Sequence, residues 1–209
     1  GDYVFATSAI YVCDTGSIRV IRQFSKAAME LSSGELEEIA AVNNWNETRE
    51  EYLERIYRKT ASLFCNVGEA GAVLSGASED IVQSLTWYSR NLGMAFQIVD
   101  DILDIQATSE EMGKPVGSDL ARGIMTLPAI IAVERHPKNN PFFSLFQDDG
   151  DEESQSRAVD LMQDSSVIRE SYEVAEQYGR KALDCLSGLT QSPSRDSMED
   201  LVAYVVGRR

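Results

Sequence analysis

"LGMAFQIVDDILDIQ", residues 92–106, sets three carboxylates, Asp100, Asp101 and Asp104, inside an otherwise apolar run. Placed on a helix, Leu92, Phe96, Val99, Leu103 and Gln106 follow one stripe. Gln97, Asp100, Asp101 and Asp104 fall on the neighbouring arc, at spacings of three, four and seven. A helix that is apolar over most of its circumference is largely buried. Buried carboxylates are costly unless they are paired or coordinate a metal. Like charges at these spacings also repel, at roughly a few tenths of a kcal/mol per pair. Two readings of the strip stay open. One is a solvated or ion-paired acidic face. The other is a site for Mg²⁺, which takes hard oxygen ligands and fills its remaining positions with water or phosphate.

Working outward, Gly and Pro are sparse within long periodic segments and β-branched alternation is weak, so the chain reads as all-α. One helix is expected over about 2–13, broken by "DTGS" at 14–17. A second runs from about Ser17 toward Val42, with "SSGE" at 32–35 as a soft point. Thr48 and Glu51 have capping-box spacing ahead of a helix from about Arg49 to Leu74, loosened around Gly68 and Gly71. Ser78 caps the long helix from about Glu79 to Gln106. "EEMGKPVGSD" at 110–119 is a loop, and Pro128 kinks or restarts the helix from Leu120 to about Arg135. Helices near 154–163, 166–189 and 195–206 complete a single all-α domain over 1–209.

The net charge of −15 argues against a nucleic-acid partner, which needs a basic footprint, and against a basic membrane-docking face. A small anionic substrate remains compatible, because a divalent metal inverts the local field. Cys13, Cys65 and Cys185 are widely spaced, with no CxxC pair, so neither a disulfide framework nor a zinc site is expected. A reducing, cytoplasmic setting fits them. No apolar run is long enough to form a transmembrane segment. The opening "GDYVFATSAIYV" reads as the interior of a helix, so the polypeptide is expected to be part of a longer protein.

"YRKTASLF" places Lys59 and Thr60 within an apolar helix, and a buried lysine needs an anion as much as a buried carboxylate needs a cation. Two glycines flank the loop that carries Lys114. His136, the one histidine, opens a Pro-rich loop and reads as uninvolved, and Asp148, Asp149 and Asp151 read as a solvated loop. Met94, Phe96 and Met125 read as core, with a channel-lining role open for some of them.

The motifs together resemble the trans-type polyprenyl diphosphate synthases. "GDYVFATSA", "ELSSGELEEI", "YLERIYRKTASLF", "LGMAFQIVDDILD", "GKPVGSDLARGIMTLP" and the final "RR" are similar to segments of that family, in family order. The resemblance implies an orthogonal helical bundle around a central cavity, of the isoprenoid synthase type. It also implies a prenyltransferase that elongates an allylic diphosphate with isopentenyl diphosphate, using Mg²⁺ and releasing diphosphate. Carried over residue by residue, Asp100 and Asp104 are metal ligands, with Asp101 in direct or water-mediated contact. Lys59, Thr60 and Gln97 become catalytic residues, and Lys59, Gln97, Lys114, Arg208 and Arg209 contact substrate. Asp119 pairs with Lys114 or with a metal-bound water. A homodimer is implied too.

The chain also departs from the family pattern. The first aspartate-rich motif, which the family places upstream of "GDYVFA", is missing, so this polypeptide is expected to be inactive alone. Glu38 stands where the family commonly has glutamine. Alternatives are a non-catalytic subunit of a heteromeric synthase, a terpene cyclase-like enzyme, and a helical binding protein whose acids are structural.

Overall fold

The computed structural model describes residues 1–106, 117–138, 140–147 and 152–208. Their regular elements are all helical: α1 (Asp2–Asp14), α2 (Ile18–Ala41), α3 (Arg49–Ile56), a π-helical turn (Tyr57–Ala61), α4 (Ser62–Leu74), α5 (Glu79–Gln106), α6 (Ser118–Ala121), α7 (Leu127–Arg135), α8 (Pro141–Gln147), α9 (Glu152–Met162), α10 (Ser165–Leu186) and α11 (Pro193–Gly207). Hydroxyls cap the starts of α2 and α3, the latter in the expected box at Thr48 and Glu51. Ser17 accepts from the Val20 N–H at the head of α2, and Thr48 with Glu51 forms a reciprocal capping box at α3. Pro128 opens α7 instead of kinking a longer helix, because its missing N–H costs nothing in a first turn. Gly123, at φ +75°, makes the turn between α6 and α7.

The long helix α5 is the axis of the bundle. From Tyr88 to Ile105 it buries residues on most of its circumference, and its main neighbours are α4 and α10. Ile98, Val99, Ile102 and Ile105 pack with Tyr52, Ile56, Leu127, Ile131 and Phe142 in the larger core. Leu92 and Ala95 pack with Leu186, Val202 and Val205 in a second. Met94 and Met125 lie in the larger core, as expected.

Three expectations change. The helix over 18–41 passes through "SSGE" without a break: Gly34 is buried, and a Cβ there would lie 2.6 Å from the Lys59 backbone nitrogen and 2.9 Å from its Cα. The glycine therefore serves close helix approach, not softness. The irregularity expected near Gly68 and Gly71 falls instead at Tyr57–Ala61, where a wider π-turn interrupts the helix. A short helix, Pro141–Gln147, occupies a stretch to which the sequence assigned no element, and Phe142 is its fully buried anchor.

Buried polar bonds tie the frame to α3. Arg55, 5% exposed, grips Glu47 with two bonds of 2.9 Å and donates to the Met125 carbonyl at 2.6 Å. The segments before α3 and before α7 are thereby fixed to α3 itself. At the opposite extreme, α1 buries no residue, and Tyr3, Phe5, Ile10, Tyr11 and Ile18 stand exposed along α1 and at the start of α2.

Candidate functional site

The four polar residues on the arc of α5 do not share one environment. Successive helical positions turn by roughly 100°, so adjacent Asp100 and Asp101 diverge. Asp101 is 5% exposed and accepts from the Tyr52 hydroxyl at 2.7 Å and from Gln97 Nε2 at 2.8 Å. Burial pushes its carboxyl up to about 7, against the opposing pull of those two hydrogen bonds. Asp104, also buried, accepts from Ser118 Oγ at 2.6 Å and from the Asp119 backbone N–H at 3.2 Å. Its own carbonyl accepts from the Gly117 N–H at 2.9 Å. The head of α6 is thus seated on the last turns of α5. Asp100 turns outward, about half exposed, with Arg208 Nη2 3.7 Å away.

Gln97 links this strip to the π-turn: its Oε1 accepts from Thr60 Oγ1 at 2.7 Å while its amide donates to Asp101. A hydrogen-bonded chain therefore runs Thr60–Gln97–Asp101–Tyr52. Next to Thr60, the π-turn presents Lys59, whose Nζ lies 2.5 and 2.6 Å from the Glu38 carboxylate oxygens. Glu38 is 4% exposed and also faces Arg55 at 3.3 Å and Arg122 at 3.7 Å. Arg122 reaches Asp119 at 3.6 Å. The Asp119 carboxyl is raised by burial first and by the charge of Asp104 second, with Arg122 and Lys59 pulling it down. Cations and carboxylates therefore alternate through one cluster. Beside it lies apolar surface: Phe96 and Phe64 meet at 5.7 Å between ring centroids, and the Arg208 guanidinium stands 5.4 Å over the Phe96 ring.

Of the residues singled out from sequence, Lys59, Thr60, Gln97, Asp101 and Asp104 converge, and Asp100 and Arg208 meet at the rim. Lys114 and Arg209, with Asp148, Asp149 and Asp151, lie outside the described residues. His136 is exposed at the end of α7. Tyr52, Ser118 and Arg122 were not foreseen as part of the site. Tyr52 sits only seven residues before Lys59, but no spacing rule marks it as the partner of an acid forty-nine residues away.

An all-helical bundle around one acid-bearing helix, faced by a lysine on a neighbouring helix, has the architecture of the isoprenoid synthases. A model of the polyprenyl synthetase family matches residues 1–162, and the chain belongs to that family. The solanesyl-diphosphate synthase 2, chloroplastic, of Oryza sativa subsp. japonica is 36% identical over 208 residues, covering 100% of this chain and 51% of that protein. Heptaprenyl diphosphate synthase component 2 of Geobacillus stearothermophilus is 35% identical, over 100% of this chain and 65% of its own length. The crystal structure of polyprenyl synthase from Caulobacter crescentus CB15, complexed with calcium and isoprenyl diphosphate, superimposes with a TM-score of 0.92 at 31% identity, covering 100% of this chain and 64% of that one. The chain thus spans between half and two-thirds of the length of these proteins.

Proposed function

We propose that this chain supplies one wall of a prenyl diphosphate synthase site, in which an allylic diphosphate is elongated by isopentenyl diphosphate and diphosphate is released. The carrying observation is the chain Thr60–Gln97–Asp101–Tyr52, which fixes the acid strip of α5 against the lysine-bearing π-turn. Such fixing keeps donors and charges in place while charge develops on a leaving group.

Each side chain has a task in this reading. Lys59, about one-third exposed, meets diphosphate oxygens as a point charge. Thr60 and Gln97 orient each other through their shared hydrogen bond. Asp101 acts from behind, holding the Gln97 amide. Phe64 and Phe96 offer apolar surface to the hydrocarbon and keep water from the carbocation formed when the C–O bond to diphosphate breaks. Arg208, standing over Phe96 and beside Asp100, covers the rim. Lys114 and Arg209 join the substrate-binding set by resemblance alone.

The residues present fit Mg²⁺. Asp104 and Asp119 are neighbouring carboxylates whose mutual repulsion a cation relieves. Among the described residues no three His, Cys, Asp or Glu side chains form a ready cage. Mg²⁺ takes one or two carboxylates and fills its remaining positions with water and substrate phosphate. Asp100 and Asp104 would hold it with Asp119 nearby, and when bound it supplies charge neutralisation for the departing diphosphate. The Caulobacter relative, complexed with calcium and isoprenyl diphosphate, supports a divalent cation and a diphosphate as ligands of this fold.

The exposed apolar residues of α1 and the start of α2 support assembly with a second copy. A second reading, favoured by the relative named as component 2 of a synthase, makes this polypeptide one component of a heteromeric enzyme. No described helix is long and apolar enough to cross a membrane. The three free thiols support a reducing setting such as the cytoplasm. The test is prenyl transfer from labelled isopentenyl diphosphate by the complete protein. Asp100→Ala and Asp104→Asn should each nearly abolish turnover with the helical circular dichroism intact. Near-normal turnover in both removes the strip from the chemistry.

A further inference from the structure

We propose that Glu38 is a positioning residue that holds Lys59 in a neutralised, parked state, so that diphosphate binds by displacing an internal carboxylate. The inference rests on the diphosphate reading of Lys59 given above and adds a brake to it.

Three features carry it. First, Glu38 is 4% exposed on α2 and faces three cations: Lys59 at 2.5 and 2.6 Å, Arg55 at 3.3 Å and Arg122 at 3.7 Å. Second, two of these have other partners. Arg55 is held bidentately by Glu47 and also donates to the Met125 carbonyl, and Arg122 lies 3.6 Å from Asp119. For Lys59, Glu38 is the one ion-pair partner among the described residues. Third, the lysine end of the pair is accessible. The Lys59 side chain is 32% exposed and that of Glu38 only 5%, so an anion arriving from solvent meets the ammonium, with the carboxylate behind it.

The consequences oppose each other. A carboxylate within hydrogen-bond reach of the ammonium cancels most of its attraction for an incoming anion and repels that anion directly. The same carboxylate fixes the ammonium at the mouth, since a lone lysine would sample many rotamers. Glutamine separates the two effects: its amide oxygen still accepts from Lys59, but the negative charge is gone. Glu38→Gln should therefore raise diphosphate affinity while lowering stability, because Lys59 and Arg122 lose a counter-charge. A purely structural role for Glu38 would move both in the same direction.

The experiment is calorimetric titration of the complete protein with inorganic diphosphate and Mg²⁺, for the unmodified form, Glu38→Gln, Lys59→Gln and the double variant, with thermal midpoints measured alongside. Glu38→Gln should bind roughly tenfold tighter, the estimate allowing for solvent screening of a one-third exposed ammonium. Its midpoint should fall, and the gain in affinity should vanish in the Lys59→Gln background. If Lys59→Gln weakens binding but Glu38→Gln leaves it unchanged or weaker, the brake is refuted and Lys59 keeps its diphosphate role. If Lys59→Gln binds as the unmodified protein does, or if neither the unmodified protein nor Glu38→Gln binds, both assignments fall. Binding by Glu38→Gln alone supports the brake.

Discussion

Gly34→Ala tests the packing that brings α2 onto the π-turn. The added Cβ would lie 2.6 Å from the Lys59 nitrogen, 2.9 Å from its Cα and 3.0 Å from the Arg58 carbonyl carbon. All three are backbone atoms and cannot rotate away. Ordinary contact lies near 3.5 Å, so α2 must retreat by roughly 0.5–1 Å. Overpacking of this kind costs about 1–3 kcal/mol. Replacing glycine within a helix returns about 0.5–1 kcal/mol. The net loss is then up to about 2.5 kcal/mol, a fall in Tm of up to about 10 °C for a chain of this size. Gly71→Ala is the control, since nothing lies within 4 Å of its Cβ position in α4 and that position is exposed. It should gain up to about 1 kcal/mol from helix propensity alone. Urea unfolding followed by circular dichroism at 222 nm gives both values. Because Glu38 lies one turn beyond Gly34 on the same face, the retreat should also loosen the Glu38–Lys59 pair. Gly34→Ala matching Gly71→Ala in stability would refute the close approach of α2 and the π-turn.

Tyr52→Phe removes a hydroxyl donor from buried Asp101 at almost constant volume. Chemical denaturation near neutral pH should show a loss of about 1–3 kcal/mol, and an unchanged midpoint would mean that the bond contributes nothing. Arg55→Met strands the buried Glu47 carboxylate. A loss of about 3–5 kcal/mol, or failure to accumulate as folded protein, is expected, and a variant as stable as the parent would show that Glu47 finds another partner. Burial pushes the Cys65 thiol up to about 11 from an ordinary 9.0, so its thiolate is scarce at pH 8. Maleimide labelling read by mass spectrometry should modify exposed Cys13 first and Cys65 about a hundredfold more slowly than a free thiol. Equal rates would place Cys65 outside its pocket.

The helical class and the buried acid helix were legible because they rest on local rules. A 3.6-residue period orders residues 92–106, Thr48 and Glu51 form a capping box, and Pro128 opens a helix as N-terminal prolines do. The division of the acids was not legible: the arc that joins Asp100, Asp101 and Asp104 on a wheel is wide enough to point one outward and two inward, and only neighbouring helices decide which. The π-turn has no compositional signature, and "YRKTA" reads as ordinary helix until α2 and α5 are packed beside it. Gly34 and Gly68 illustrate the same limit from opposite sides. Each looked like a weak point, yet a Cβ at either would collide with a neighbouring helix, at Lys59 or at Ser89. Pairings across the bundle, such as Glu38 with Lys59 and Tyr52 with Asp101, follow from tertiary contact and leave no periodic trace.

The central claim is that the acid strip of α5 and the lysine of the π-turn share one diphosphate with a divalent cation. Crystals of the complete protein grown with Mn²⁺ and inorganic diphosphate, with anomalous scattering used to place the metal, test it most directly. The account predicts an Mn²⁺ peak beside Asp104 and diphosphate oxygens within hydrogen-bond distance of Lys59 Nζ. Metal bound only at surface acids, or diphosphate bound away from Lys59, would contradict it.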